Sequence, residues 1–215
     1  MKISAIKSGL RMVFGNQEHP RKGLVFIPDI SGFTELVRNT DLVTGRIITQ
    51  ELLSSLVQHN TLKMKIAEIE GDAIFFFKWK SIPTAEELYD QFETMKTAFD
   101  EKVEALQIRF NLKLNLHLKA IAHYGAIAAY SIGRFHKIYG EVVVEAHRLL
   151  KNNVPGRSYL LITDELMAAS KQVMVKDFLQ VERSNKLCEL YSGLRSLCFT
   201  YFLFEYLEPA STPFC

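Results

Sequence analysis

Hydrophobic and polar positions change period several times along the chain, and each change marks an element. Residues 23–29 form a short apolar run ending in Asp29, the pattern of a buried strand. Ser31 is placed to cap a helix that begins near Gly32 and carries Phe33, Leu36 and Val37 on one face. Over 40–58, Leu42, Val43, Ile47, Ile48, Leu52, Leu53, Leu56 and Val57 recur at mostly helical spacing. Residues 62–70 alternate instead, with Leu62, Met64 and Ile66 facing away from Lys63 and Lys65. Gly71 then turns the chain into a second strand of a hairpin over 73–79. Pro83-Thr84 opens a long helix to about Leu106. Residues 110–124 alternate again, Leu112, Leu114, Leu116 and Leu118 against Asn111, Lys113, Asn115 and His117, and 125–132 read as another strand after a turn. A helix over 139–152 ends in the turn signal Asn152-Asn153-Val154-Pro155-Gly156. A strand over 159–162, a helix over 163–170 and two or three strands finish the chain.

The order β-α-α-β-β-α-β predicts an α+β protein: a ferredoxin-like core with a central, mostly antiparallel sheet, helices on one side and C-terminal α and β additions. The 215 residues fit one large domain, read here as residues 23–208, with 1–22 as an N-terminal extension and 209–215 as a tail. The net charge of +2 argues against nucleic acid as a partner. No apolar run reaches the ~20 residues that span a bilayer. The basic start (Lys2, Lys7, Arg11) lacks a clean signal-peptide core. Cys188, Cys198 and Cys215 show neither metal spacing nor an even framework, and are expected as reduced thiols in a cytoplasmic protein.

Candidate chemistry sits in two acidic segments at strand ends: Phe26-Ile27-Pro28-Asp29-Ile30-Ser31-Gly32-Phe33-Thr34, and Ile66-Ala67-Glu68-Ile69-Glu70-Gly71-Asp72-Ala73-Ile74-Phe75-Phe76. Each sets an Asp near a Gly, where backbone can approach a phosphate closely. Two carboxylates brought together there could hold a pair of divalent cations about 3.5–4 Å apart, the arrangement used for in-line phosphoryl chemistry. Taken singly, each segment is as well explained by a turn or a helix cap. No P-loop, dinucleotide fingerprint, Ser-His-Asp set or zinc motif is visible. His136 and His147 lack a ligand partner at fixed spacing and read as surface or helix-face residues.

Together the segments resemble the catalytic domain of class III nucleotidyl cyclases, the adenylate and guanylate cyclases. Asp29 with Ile30, Gly32, Phe33 and Thr34 matches the family's first metal-binding Asp before Ile-x-Gly-Phe-Thr. Asp72 after Gly71 matches the second, 43 residues on (72 − 29). The run from His123 to Gly133 is similar to the family's strand pair bounded by glycines. Gly140-Glu-Val-Val-Val-Glu-Ala-His-Arg148 is similar to Gly-x-x-Val-Asn-x-Ala-x-Arg, and Thr200-Tyr201-Phe202-Leu203 to the closing strand. The resemblance covers residues 23–153, with a looser tail to Leu203.

It implies the nucleotide cyclase fold and conversion of a nucleoside triphosphate to a 3′,5′-cyclic nucleotide and pyrophosphate by two ions, Mg²⁺ or Mn²⁺. It implies a homodimer whose sites lie between subunits. Asp29, Asp72 and the Ile30 backbone carbonyl are the implied metal ligands. Gly32, Phe33 and Thr34 are implied at the phosphates, Arg148 at the charge on the reacting phosphate, and Glu68 and Lys137 at the base. A Glu at position 68 suits the guanine N1–H and amino group, so GTP is slightly preferred over ATP. Two departures favour the alternative, a catalytically silent module that binds metal-nucleotide or only dimerises. Val144 stands where the family's ribose-orienting Asn is expected, and for the family's phosphate-binding Lys only Lys186 and Arg195 are candidates. No sensor segment is evident, so a separate regulatory partner is expected.

Overall fold

A computed structural model of the chain describes residues 21–133, 135–170, 184–191 and 195–204. Its elements run β1 (Arg21–Ser31), α1 (Phe33–Asn39), α2 (Leu42–Gln58), β2 (Lys65–Glu70), β3 (Ala73–Lys78), α3 (Ala85–Phe110), β4 (His117–Ile132), β5 (Phe135–Tyr139), α4 (Glu141–Leu149), β6 (Tyr159–Thr163), α5 (Asp164–Ala169), β7 (Asn185–Leu190) and β8 (Ser196–Leu203). The strands form one sheet in the order β2-β3-β1-β4-β6-β8-β7, with β5 hairpinned onto the far end of β4. Among the described residues only β4 and β6 pair in parallel; the other pairings are antiparallel. The architecture is the expected α+β one, but the helices do not all lie on one side as expected: α2 and α3 cover one face of the sheet and α4 the other.

Alternation along the strands divides the core. Leu24, Phe26 and Ile30 of β1 join Leu118, Ala120, Leu160 and Phe202 under α2 and α3, in a cluster that includes Leu52, Leu56, Phe92, Met95 and Phe99. Val25 and Ile27 point the other way, to Phe75, Phe77, Ile127 and the Val142–Ala146 face of α4. Asp29 continues that second row. Asp41 caps α2, its carboxylate accepting from the Val43 and Thr44 amides. Thr84 and Glu87 form a capping box on α3. The fully buried Gln91 of α3 fixes the entry to the β2–β3 hairpin. Its amide oxygen accepts from Thr61 Oγ1 and the Leu62 amide, and its nitrogen donates to the His59 carbonyl, each at 2.8 Å.

Several expectations are corrected. Gly125 does not turn the chain: β4 runs through it, in register with Gly23. A Cβ at Gly125 would lie 2.8 Å from Val142 Cβ, so the glycine marks the close approach of α4 to the sheet. Helix α3 extends to Phe110, ending at left-handed Asn111, and residues 112–116 belong to no strand. Leu112, Leu114 and Leu116 alternate because they pack on the core. Ser31 does not cap α1; Gly32 is the N-cap, at φ 91°, and no side chain bonds the helix start. Strand β5 was not anticipated. Cys188 and Cys198 are not free thiols: they are directly opposed across β7–β8, 4.0 Å apart at Cα, and joined by a disulfide. Their spacing of ten residues shows nothing until the hairpin register is known. Residues 1–20 and 209–215, nearly all of the expected extension and tail, lie outside the described residues. No helix among the described residues is long and apolar enough to cross a membrane.

Candidate active site

The central strand β1 delivers the first carboxylate. Asp29 pairs across the ladder with Ala73 on one side and Lys119 on the other. Asp72, at the tip of the β2–β3 hairpin, is tied to the same strand end, because the Ile30 amide donates to the Asp72 carbonyl at 3.2 Å. Gly71 holds the tip at φ 59°, a conformation that suits glycine. The two carboxylates are close enough to act on one another. Burial, and then the charge of Asp29, push the Asp72 carboxyl above the usual carboxylate range, while Lys119 pulls it down.

Lys119 is the residue that sequence reading missed. Its ammonium lies 3.1 Å from Asp29 Oδ2 and 3.1 Å from the Leu150 carbonyl. The side chains of Lys119 and Asp29 are 17% and 16% exposed, so the pair is largely withdrawn from water. A charged residue inside the otherwise apolar stretch from Leu118 to Ala122 was the available signal. On β6, Tyr159 stands beside Lys119 in register and shares hydrogen bonds with Asn152. Burial and the negative charge of Asp29 contribute to pushing its phenol up to about 12.

The structure also joins Glu68 of β2 to Lys137 of β5, whose charged groups are in direct contact. Glu68 is largely covered (15% exposed) and Lys137 is open (41%). On α4, Val144 and Arg148 lie one turn apart on the exposed face. His147 stacks at 4.3 Å on Phe75. Gly32, Phe33 and Thr34 lead α1 away from Asp29, and a Cβ at Gly32 would collide with the Asn115 carbonyl. A cavity of about 120 Å³ opens there, between Gly32, Glu35 and Asn115, but neither aspartate lines it. Lys186 is paired with Asp164 at 2.7 Å. Arg195 is engaged by Glu145 at 2.8 Å and by Glu165. Glu145 itself is buried (4% exposed) and accepts from His123 Nε2 at 2.8 Å. His123 Nδ1 meets Thr163 Oγ1.

The donor set at the end of β1 and the tip of the β2–β3 hairpin is two carboxylates and backbone oxygens, which suits a hard divalent cation. A cation there would relieve the repulsion by which Asp29 helps raise the Asp72 carboxyl. Among the described residues no group of three or more His, Cys, Asp or Glu gathers around a metal position, so the protein side chains offer two ligands and not a cage.

Comparison with known structures defines the class first. The adenylyl cyclase CyaB from P. aeruginosa is similar with a TM-score of 0.58, covering 87% of this chain and 96% of that one at 17% identity. The guanylyl cyclase Cya2 matches with a TM-score of 0.62, over 91% and 98% at 14% identity. The guanylate cyclase domain of RhGC from Catenaria anguillulae, solved in complex with GTP, matches with a TM-score of 0.61 over 85% and 96% at 15% identity. The chain therefore has the class III nucleotidyl cyclase fold, in a divergent form. By sequence it belongs to the family described as "Protein of unknown function (DUF2652)", whose model matches residues 49–159, a span that includes Asp72 and Lys119 but not Asp29. The uncharacterized protein Rv2561/Rv2562 of Mycobacterium tuberculosis is 32% identical over 108 residues, 47% of this chain and 50% of that protein. The match thus spans half the length of that curated relative.

Proposed function

We propose that the chain is a nucleotidyl cyclase-like enzyme that converts a nucleoside triphosphate to its 3′,5′-cyclic form at a site shared by two copies. The single observation that carries this reading is the meeting of Asp29 and Asp72 at one end of β1. In the reaction the ribose 3′-oxygen bonds the α-phosphorus, the bond from that phosphorus to the bridging oxygen breaks, pyrophosphate leaves, and the 3′ proton goes to solvent. Bound Mg²⁺ or Mn²⁺ supplies Lewis-acid stabilisation of the phosphate charge. Asp29, Asp72 and the Ile30 carbonyl hold it, and the backbone of Gly32 to Thr34 steadies the phosphates. Arg148, exposed on α4, reaches the charge on the reacting phosphate of the opposite copy's site.

Glu68 and Lys137 read the base. The pair offers an acceptor and a donor side by side. Guanine presents the complement, N1–H and amino donors next to the O6 acceptor; adenine has a single amino donor on that edge. This supports GTP as the preferred substrate. A twofold dimer is supported by the exposed apolar side chains around this region: Ile66 and Ile69 on β2, Tyr130 and Ile132 on β4, Tyr139 on β5 and Val144 on α4.

The second reading is a silent module that binds metal-nucleotide. It is favoured by Val144, which presents an aliphatic side chain, 51% exposed, beside Arg148. It is also favoured by the engagement of Arg195 and Lys186 with carboxylates. Loss of a transition-state contact is worth roughly 2–4 kcal/mol, which slows turnover without abolishing binding. The deciding experiment is incubation with Mn²⁺ and each ribonucleoside triphosphate, with product read by mass spectrometry. Cyclic product lost in Asp29→Ala supports the enzyme. No product, with triphosphate binding that disappears in Asp72→Ala, supports the module.

A further inference from the structure

We propose that the end of the sheet opposite the aspartates is a docking surface for an anionic lipid bilayer, built from basic residues of β1, β2 and β3 and their flanks around Trp79. This surface lies away from the candidate active site, and its assignment does not depend on the cyclase reading.

The three strands are polarised along their length. At one end, residues 21–26, 62–67 and 76–82 hold Arg21, Lys22, Lys63, Lys65, Lys78 and Lys80, and no Asp or Glu. At the other end, the same strands and their turn hold Asp29, Glu68, Glu70 and Asp72. Register gathers the basic residues: Lys78 is opposite Leu24, and Lys65 is opposite Phe77. Gly23 lies against Trp79, where a Cβ would come 2.9 Å from the indole. The Arg21 guanidinium is 5.6 Å, and the Lys65 ammonium 5.9 Å, from the centre of the Trp79 ring. Arg21, Lys22, Lys63, Lys65 and Lys80 are exposed. Among the described residues none of the five has a carboxylate partner. Lys78 gives its ammonium to the neutral Leu62 carbonyl at 2.8 Å. Of the acids that follow along the chain, Glu68 is joined to Lys137, Glu87 is held in the α3 cap and Glu86 is exposed. The Trp79 indole nitrogen, shielded from water, has no acceptor among the described residues.

The composition selects the partner. Five of the six cations are lysines, whose ammonium is attracted to a negatively charged plane without needing the paired acceptors that an arginine fork reads. Each such charge near an anionic bilayer strengthens partitioning about fivefold. An indole among cations suits the headgroup layer, where its ring is covered and its N–H meets an acceptor. Nucleic acid would call for arginines at base edges or a row of stacking aromatics, and these strand ends offer one arginine and one tryptophan. From Arg21 to Asp29, eight steps of ~3.3 Å set the two ends roughly 26 Å apart. Docking therefore leaves the aspartate end open.

The test uses the full chain and vesicles of phosphatidylcholine, alone or with about 30% phosphatidylglycerol, at about 0.1 M salt. Co-sedimentation should show binding to the anionic vesicles, at least about tenfold weaker binding to the neutral ones, and release as salt rises to about 1 M. Trp79 is the single tryptophan, so its emission should shift to the blue and resist an aqueous quencher on the anionic vesicles alone. The triple variant Arg21→Gln, Lys65→Gln, Lys80→Gln should bind about a hundredfold weaker. The triple Arg38→Gln, Arg46→Gln, Lys113→Gln removes the same charge from exposed positions beyond this surface, and should stay within about threefold of wild type. Circular dichroism checks folding, and the pair Lys63→Gln, Lys80→Gln, expected to bind about twenty-fivefold weaker, replaces the first triple should that one fail to fold. No binding to anionic vesicles, equal weakening by the two triples, or binding that leaves the Trp79 emission and quenching unchanged overturns the proposal. A duplex oligonucleotide bound where the vesicles are not would assign these cations to nucleic acid and overturn it as well.

Discussion

Lys137 of β5 and Glu68 of β2 join their charged groups across 69 residues of sequence, at the edge of the sheet nearest the hairpin that carries Asp72. A strand-end hairpin and an edge strand are thereby locked together by the two residues proposed to read the base. The pair makes base choice a matter of donor and acceptor order.

Reversing that order should reverse the choice. Glu68→Lys alone sets two ammonium groups against each other and should reduce guanine preference by about tenfold to a hundredfold. The double exchange of Glu68→Lys with Lys137→Glu restores the ion pair and should favour adenine nucleotides. Calorimetry with GTP and ATP in the presence of Mn²⁺ measures both. A double exchange that binds GTP as wild type does would remove these residues from base reading.

The aspartate site should reduce stability when no cation is bound. The Asp72 carboxyl is raised by burial and by Asp29, so the folded state holds its proton more tightly than the unfolded chain. Stability contributed by the protonated form is complete below the unfolded value and is lost as pH rises through the raised folded value. At neutral pH, Asp72→Asn should therefore melt about 1–3 °C higher than wild type in chelator, for a gain of at most ~1 kcal/mol at this partly exposed site. Added Mn²⁺ should raise the melting temperature of wild type and leave the variant unmoved. A variant that melts lower in chelator would contradict the reading of Asp72.

Glu145 works in the opposite sense. Burial pushes its carboxyl up, but hydrogen bonds from His123 and Arg195 and their charges outweigh that and hold it below the usual range. Its contribution is present above the unfolded carboxylate value and is lost as pH falls through the lower folded value. Glu145→Ala leaves the buried His123 unpaired on that side and releases Arg195, and should destabilise the chain by about 2–4 kcal/mol. Acid melts of Glu145→Gln should show a shallower loss below about pH 4.5 than wild type. Equal slopes would mean that Glu145 is not the ionised centre of this cluster.

The Cys188–Cys198 bond closes a loop of ten residues that includes Arg195. Peptide mapping without reductant should recover the two cysteines linked. On loop-closure entropy, Cys188→Ser should cost about 2–3 kcal/mol. Recovery of both as free thiols from protein purified without reductant would contradict the pairing.

What was legible in the sequence depended on the range of the interaction. Period changes located the helices and most strands, because alternation and helical spacing are written locally in side-chain type. The β4 strand was misread as two because Gly125 serves a contact with Val142, seventeen residues away, and local rules assign such a glycine to a turn. Asp29 and Asp72 were legible through the motifs around them. Lys119, the Glu68–Lys137 contact and the disulfide were not: the first depends on the β1–β4 register, the second on β5 folding back beside β2, and the third on the register of the β7–β8 hairpin.

Asp29 and Asp72 are proposed to serve cyclisation of a nucleoside triphosphate. The most direct measurement is mass-spectrometric detection of cyclic nucleotide after incubation of the purified chain with Mn²⁺ and GTP, ATP, CTP or UTP in turn. The expected result is slow formation of a 3′,5′-cyclic nucleotide with equimolar pyrophosphate, fastest from GTP, faster with Mn²⁺ than with Mg²⁺, and lost in Asp29→Ala. Absence of cyclic product from all four triphosphates, or product that persists undiminished in Asp29→Ala, would contradict it.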